Sequence, residues 1–242
     1  MDRVFLSPEC RQDERFVVSG RERRHLADSL RVRRGEQFLA TDGAGFEYVL
    51  EAESVAKTEL VARVLEAREE ATGPGDVVTL AIAPPKGSRM ETAIEKATEC
   101  GVGRILPLIT HRSVVKARDD SERLDRWRRV ARSAAAQCGR CRVPEIGAVT
   151  SFVDALHSTG RVMLAHPDEE AVSMSAALHG VVPGTPVTIL IGPEGGFGRR
   201  EAKEARRTGA ALVSLGRTRL RTETAAIVAV ALAIATLERR ED

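Results

Sequence analysis

The sequence predicts a two-part α/β protein: a small antiparallel β-barrel followed by a larger domain in which helices cover a parallel sheet. Three observations carry this expectation. Before residue 67 the chain runs in short alternating segments, a charged stretch at 66–76 ends in Thr72-Gly73-Pro74-Gly75, and beyond it apolar runs alternate with helical patterns. Alternation marks half-buried antiparallel strands, whereas apolar runs separated by helices mark a parallel sheet covered on both faces. The expected domains are 1–70 and 76–242. With 242 residues, 43% of them hydrophobic, the chain can fill one small and one medium core.

In the first domain the strand-like runs are 15–19, 37–41, 47–52 and 60–65, punctuated by Gly35 and Asp42-Gly43. Leu26 and Leu30, at helical spacing among charges, predict a helix or turn within 20–34. In the second domain the strands are 77–83, 104–109, 161–165, 187–191 and 211–215. Ser88 followed by Glu91 reads as a capping box, opening a helix whose apolar face is Met90, Ala93, Ile94 and Ala97 and which Gly101 closes. Leu124, Trp127, Ala131 and Ala134 form a second amphipathic stripe, and 198–209 is a short charged helix. The last helix, 222–237, is apolar on every side from Ala225 to Ala235. Such a helix needs cover on both sides, so a second copy of the protein is expected over the side away from the sheet, giving a homodimer.

Composition excludes several classes. No apolar run approaches the ~20 residues of a membrane helix, and the start of the chain lacks a signal-peptide pattern, so a soluble cytoplasmic protein is expected. Four cysteines, at 10, 100, 138 and 141, are too few and too uneven for a disulfide framework. The net charge of +2 does not by itself announce a nucleic-acid binder, because 37 basic residues face 35 acidic ones. Clusters carry the signal instead: Arg21, Arg23, Arg24, Arg31, Arg33 and Arg34 in the first domain, and Arg112, Lys116 and Arg118 after a strand. Charge runs are as often merely solvated faces.

Ligands of open α/β sheets bind at the carboxyl ends of the strands, and two loops there stand out. One is Gly192-Pro193-Glu194-Gly195-Gly196-Phe197-Gly198; the other runs from Gly216 through Arg217, Arg219 and Arg221 to Thr222-Glu223-Thr224-Ala225. Glycines leave backbone amides and carbonyls as a recognition surface suited to a flat base and an amino-acid tail. The Lys and Ser/Thr of a phosphate loop are missing. Thr222 and Glu223 suit a helix start, as cap and dipole partner. Three preceding arginines oppose that dipole and suit a polyanion.

Together these loops resemble the bacterial 16S rRNA uridine-1498 N3-methyltransferases, the RsmE-like members of the SPOUT class. Further matching residues are Arg3-Val4-Phe5, His25, Leu30-Arg31, Gly35, Lys86, Glu95 to Glu99, Gly101, Gln137, Gly139-Arg140 and Pro144, so the resemblance spans essentially the whole chain. It implies a PUA-like barrel, a parallel-sheet domain with a C-terminal trefoil knot, and S-adenosylmethionine as methyl donor. It further implies a partner in 16S rRNA or the small ribosomal subunit, with no membrane or DNA partner. The implied donor pocket comprises Leu164, Ala165, His166, Ile191, Gly192, Pro193, Glu194, Gly195, Gly196, Leu215, Gly216, Leu220, Arg221, Thr222, Thr224 and Ala225.

The target N3 proton is weakly acidic, so a base must remove it or cations must stabilise the anion. Glu223 is the candidate base; Arg221 and Arg3, with Arg112 and Arg140, are the candidate cations, and the sequence does not choose among them. Arg3, Arg23, Arg24, His25, Arg31, Arg33, Arg112 and Arg140 are the expected RNA contacts. The chain departs from the resemblance at Ala136-Gln137-Cys138, where a glutamate is usual before Gln137. Cys138 and Cys141 have the spacing of a redox or zinc pair, but a second ligand pair is absent and no metal is expected. Two other classes compete: a non-catalytic RNA-binding protein, which would require damaged donor loops, and a nucleotide- or nicotinamide-dependent enzyme. Binding of S-adenosylhomocysteine but not NAD or ATP separates them.

Overall fold

The computed structural model describes residues 3–113, 121–167 and 170–239. The chain forms two compact units, Met1–Ala71 with Ala135–Val143, and Thr72–Ala134 with Pro144–Asp242. Residues 135–143, which the sequence reading counts with the second domain, therefore fall in the first unit.

The first unit is a six-stranded sheet in the order β1 (Arg3–Phe5), β4 (Gln37–Thr41), β5 (Phe46–Val55), β6 (Glu59–Glu69), β3 (Arg15–Ser19), β2 (Arg11–Gln12). It is mixed rather than wholly antiparallel, because β1 runs parallel to β4 with Arg3 opposite Leu39. Such a pairing joins segments far apart in sequence and leaves no turn signal between them. Strands β5 and β6 are longer than expected. Residues 66–69, read from sequence as the start of a linker, pair with 46–49, and register shifts at Val49/Leu50 and Ala52/Ser54 bend the pair. The alternation in β3 buries Phe16 and Val18 against Leu26, Phe38, Tyr48, Leu50 and Leu60. At the 42–46 turn, Asp42 accepts hydrogen bonds from the amides of Ala44 and Phe46 and from the Tyr48 hydroxyl. Burial first, and Asp42 second, push the Tyr48 phenol above its ordinary range.

The segment after helix α3 (Ser121–Cys138) lies along this turn, with the Val143 amide donating to the Gly43 carbonyl and the Gly45 amide to that of Cys141. The two cysteines at zinc spacing thus have separate environments. Cys141 is buried, which raises its thiol, while exposed Cys138 reaches the carbonyl of Ala135 one helical turn back.

The second unit holds a parallel sheet ordered β10 (Thr150–Ser151), β8 (Arg104–Ile109), β7 (Val78–Ile82), β13 (Val187–Ile191), β11 (Arg161–Ala165), β14 (Ala211–Ser214), β12 (Val172–Ser173), with β9 (Glu145–Ile146) also pairing to β8. All of its pairings are parallel. One face is covered by α4 (Phe152–Leu156) and α6 (Arg199–Arg207), whose Phe152, Leu156 and Ala205 pack on Leu106, Leu108, Leu164, Leu190 and Leu212. Helix α7 (Thr222–Glu238) covers the other, resting on β7 and β13 between α2 (Arg89–Glu99) and α5 (Met174–Leu178).

The capping box expected at Ser88 does not form. Ser88 has φ −81° and ψ 1° instead of the extended cap conformation, and its side chain makes no capping bond. The Glu91 carboxylate is drawn away by Arg126 of α3 at 2.7 Å. The α2 helix keeps the expected buried face of Met90, Ala93, Ile94 and Ala97. Among the described residues no helix is long and apolar enough to cross a membrane.

Candidate functional site

The carboxyl ends of β11, β13 and β14 open onto a cavity of about 690 Å³, lined by 165–167, 191–197, 213–222, Ala225 and Arg112. Sheet order creates it. Strands β13, β11 and β14 are direct neighbours, so loops separated by tens of residues in sequence emerge side by side.

The glycines act differently from one another. Gly196 has φ +64°, the left-handed region a side chain disfavours, and its amide closes a turn on the Pro193 carbonyl at 2.7 Å. At Gly192 the constraint is space: a Cβ there would lie 3.2 Å from the Phe197 ring, tighter than ordinary contact. The two loops are fastened together. The Thr222 hydroxyl donates to the Gly192 carbonyl at 3.2 Å, and Arg219 donates to the Glu194 carbonyl at 3.3 Å. Thr222 is therefore a staple between the loops; the N-cap position belongs to Arg221, and Thr222 makes no capping bond. Three residues past the end of β8, Arg112 donates to the Gly195 carbonyl at 2.7 Å. Glu201 holds that segment by accepting from the amides of His111 and Gly198.

Of the residues singled out from sequence, Ala165, His166, Ile191, Gly192, Pro193, Glu194, Gly195, Gly196, Leu215, Gly216, Leu220, Arg221, Thr222 and Ala225 line the cavity. Leu164 does not, being fully buried in the sheet core, and exposed Thr224 is also outside the lining. Pro167, Phe197, Val213 and Ser214 line it without having been assigned to the donor pocket. Arg217, Thr218 and Arg219 of the arginine-rich loop line it as well, so that with Arg112 and Arg221 four arginines border the space. Arg217 and Arg221 have no side-chain hydrogen bond to any described residue, whereas Arg112 and Arg219 are committed to carbonyls.

Glu223, the candidate base, is not part of the lining. Its side chain is only 12% exposed, Oε1 faces Arg89 at 3.9 Å, and buried Oε2 has no hydrogen-bond partner among the described residues. His166 Nδ1 is likewise buried without one.

Arg3 lies in the first unit, where its guanidinium pairs with Glu47 and donates to the Gly139 carbonyl. Arg23 is also occupied, donating to the Ala56 carbonyl and pairing with Asp28 at 3.1 Å. Arg24, His25, Arg31 and Arg33 are exposed on that unit, and Arg31 holds φ +56°, unusual for a residue with a side chain. Arg140 is half-buried, its amide bonded to the Ala135 carbonyl. Lys116 and Arg118 fall outside the described residues.

Comparison with known proteins adds a second line of information. A family model described as an RNA methyltransferase domain matches residues 73–234, and one described as an RNA methyltransferase PUA domain matches 18–65. The Mycobacterium bovis protein named ribosomal RNA small subunit methyltransferase E is 36% identical over 93% of this chain and 88% of its own length. Among solved structures, a probable rRNA-methyltransferase from Porphyromonas gingivalis superposes with a TM-score of 0.86 at 32% identity, covering 100% of both chains. A putative methyltransferase from Legionella pneumophila, solved in complex with bound S-adenosylmethionine, gives 0.82 at 30% identity and covers 96% of both.

Proposed function

The chain belongs to the RNA methyltransferase family, and from that membership we propose that it transfers a methyl group from S-adenosylmethionine to N3 of a uridine in small-subunit ribosomal RNA. The uridine is identified as position 1498 of 16S rRNA through the resemblance in its loops. The observation that carries the reading is the meeting of 191–197 and 213–222 around one arginine-rimmed cavity. In this reading both segments belong to the trefoil knot.

The residues present fit the donor. A volume of about 690 Å³ falls within the ~300–1,000 Å³ typical of small-molecule sites. Four glycines, at 192, 195, 196 and 216, leave backbone open in its walls, and buried His166 Nδ1 still has hydrogen-bonding capacity to offer. Ala165, His166, Ile191 to Gly196, Leu215, Gly216, Leu220, Thr222 and Ala225 would hold the donor. When bound, the donor supplies an electrophilic sulfonium methyl carbon. The protein's main task is then to place uracil N3 in line with that carbon, and orientation of this kind contributes about 7–11 kcal/mol in favourable cases. Because Arg217 and Arg221 line the cavity with their side chains uncommitted, they can stabilise the negative charge that builds on the uracil as N3 loses its proton to solvent. Glu223 lies outside the lining, so we assign the chemistry to this positive field and not to a carboxylate base.

Exposed Arg24, His25, Arg31 and Arg33 on the first unit are the proposed RNA contacts there, with the cytoplasm as the place of work. The outward stripe of α7, Val228, Ala231, Leu232 and Ala235 at helical spacing, is partly or fully exposed, and Leu232 is 42% accessible. An apolar stripe of this form needs cover, and we assign it to a second copy of the chain. Sedimentation should give twice the monomer mass; a monomer at every concentration would overturn the dimer.

The activity is tested by incubating the protein with labelled donor and, separately, small subunits or free 16S rRNA, then mapping the label. A methyl on uridine N3 is expected. Label on another base, or none on either substrate, would overturn the assignment.

A further inference from the structure

The segment that follows β7 contributes nothing to the cavity lining, yet it is tied to both loops that form the cavity. The Lys86 amide donates to Glu194 Oε1 at 3.3 Å. Three residues on, Arg89 places Nη1 3.6 Å from Glu194 Oε1 and Nε 3.9 Å from Glu223 Oε1. Glu194 belongs to the loop after β13, and Glu223 to the first turn of α7. One guanidinium thus spans Glu194, in the cavity lining, and Glu223, just beyond the end of the other lining loop, presenting a different nitrogen to each.

Helix energetics alone do not explain this residue. Arg89 is the first residue of α2, where the aligned peptide dipoles make a positive charge unfavourable, and an acidic or neutral residue would serve the helix better. Its position is favourable only toward the two carboxylates. Without Arg89, Glu194 and Glu223 would face each other as like charges in a partly covered region, Glu223 being almost enclosed. The loops could relieve that repulsion by separating. The Thr222 to Gly192 and Arg219 to Glu194 hydrogen bonds cross the same junction, and they would be strained as the loops parted.

We propose that Arg89 is a positioning residue that clamps the two donor-binding loops through Glu194 and Glu223, and that Glu223 serves the reaction through this clamp. The proposal rests on the methyltransferase reading above. It separates cleanly from a general-base role for Glu223. A lost base lowers turnover with donor affinity intact, whereas a lost clamp lowers donor affinity and raises the donor KM, with turnover at saturating donor little changed.

The test measures S-adenosylhomocysteine affinity by calorimetry, and kcat and donor KM on small subunits, for wild type, Arg89→Ala, Arg89→Lys, Glu223→Gln and the Arg89→Ala/Glu223→Gln double variant. Arg89→Ala should weaken binding and raise KM on the order of ten-fold, with kcat changed less than about three-fold. Lysine should restore only part of the affinity, since one ammonium cannot reproduce two separate nitrogens. Glu223→Gln should cost a similar factor, and the double variant should be no worse than Arg89→Ala alone, because both remove the same link. Arg89→Gln, which keeps the stem at the helix start, replaces the alanine variant if thermal melting shows α2 disturbed. Unchanged affinity in Arg89→Ala, or losses that multiply in the double variant, would overturn the clamp while leaving the methyltransferase reading in place. Failure of wild type to bind S-adenosylhomocysteine would remove both.

Discussion

Replacing Arg221 by alanine is expected to lower kcat by about 10²- to 10³-fold, with S-adenosylhomocysteine affinity changed only a few-fold. That range is what removal of one preorganised charge-stabilising donor typically costs. Arg221 qualifies because it lines the cavity, is exposed, and makes no side-chain hydrogen bond within the described residues, so its charge is free for a substrate. The fold should barely notice the change, since little is packed against the side chain. Arg221→Lys should recover part of the rate, because the charge survives while the planar fork of donors does not. Single-turnover methylation of small subunits at saturating donor is the appropriate measurement. The contrast with Arg89 is the point: one variant should lose rate at constant donor affinity, the other affinity at nearly constant rate. If Arg221→Ala weakened donor binding and left the single-turnover rate intact, the positive-field mechanism would be wrong, and Arg221 would be a donor-binding residue.

Legibility in the sequence followed the range of the interactions. The runs 104–109, 161–165 and 187–191 are strands over those residues, because a strand buried on both faces must be apolar throughout and periodicity reports this locally. Strands β9, β10 and β12 have two residues each and leave no pattern to read. The parallel partnership of β1 with β4 escaped for another reason: pairing over a long loop is decided by tertiary packing. Local cap signals misled twice. Ser88 and Thr222 have the right chemistry for capping, but Arg126 claims the box partner Glu91, and the Gly192 carbonyl takes the Thr222 hydroxyl. At the site, strand ends and glycine-rich turns pointed to the loops that line the cavity, while the ties between those loops stayed invisible. Lys86 and Glu194 lie 108 positions apart, and only the β7 to β13 adjacency brings them together. Arg89 did leave one trace, a cation at the start of a helix where the dipole disfavours it. Arg23 shows the converse: it reads as an RNA contact in a basic run, yet its guanidinium is spent on Ala56 and Asp28.

Gly192→Val should abolish measurable donor binding, a loss of at least about 100-fold, while leaving the domain folded. A side chain at position 192 is opposed by crowding and not by backbone conformation. A Cβ would sit 3.2 Å from two atoms of the Phe197 ring and 3.3 Å from the Gly196 carbonyl carbon, tighter than ordinary contact, and valine adds two methyl groups beyond it. Phe197 cannot retreat freely, because it is buried with its ring centroid 5.5 Å from that of Phe152 in the core under α4. The loop must therefore move, and its first casualty is the Thr222 hydrogen bond to the Gly192 carbonyl that fastens the two walls. Overpacking of this kind costs about 1–3 kcal/mol, small enough for the domain to remain folded. Urea unfolding should register that cost, and calorimetry with S-adenosylhomocysteine the loss of binding. Phe197→Leu in the same chain should return part of the affinity by making room for the valine. If Gly192→Val bound the donor analogue as wild type does, the wall formed by 191–197 would not contact the donor, and the cavity would have to serve another ligand.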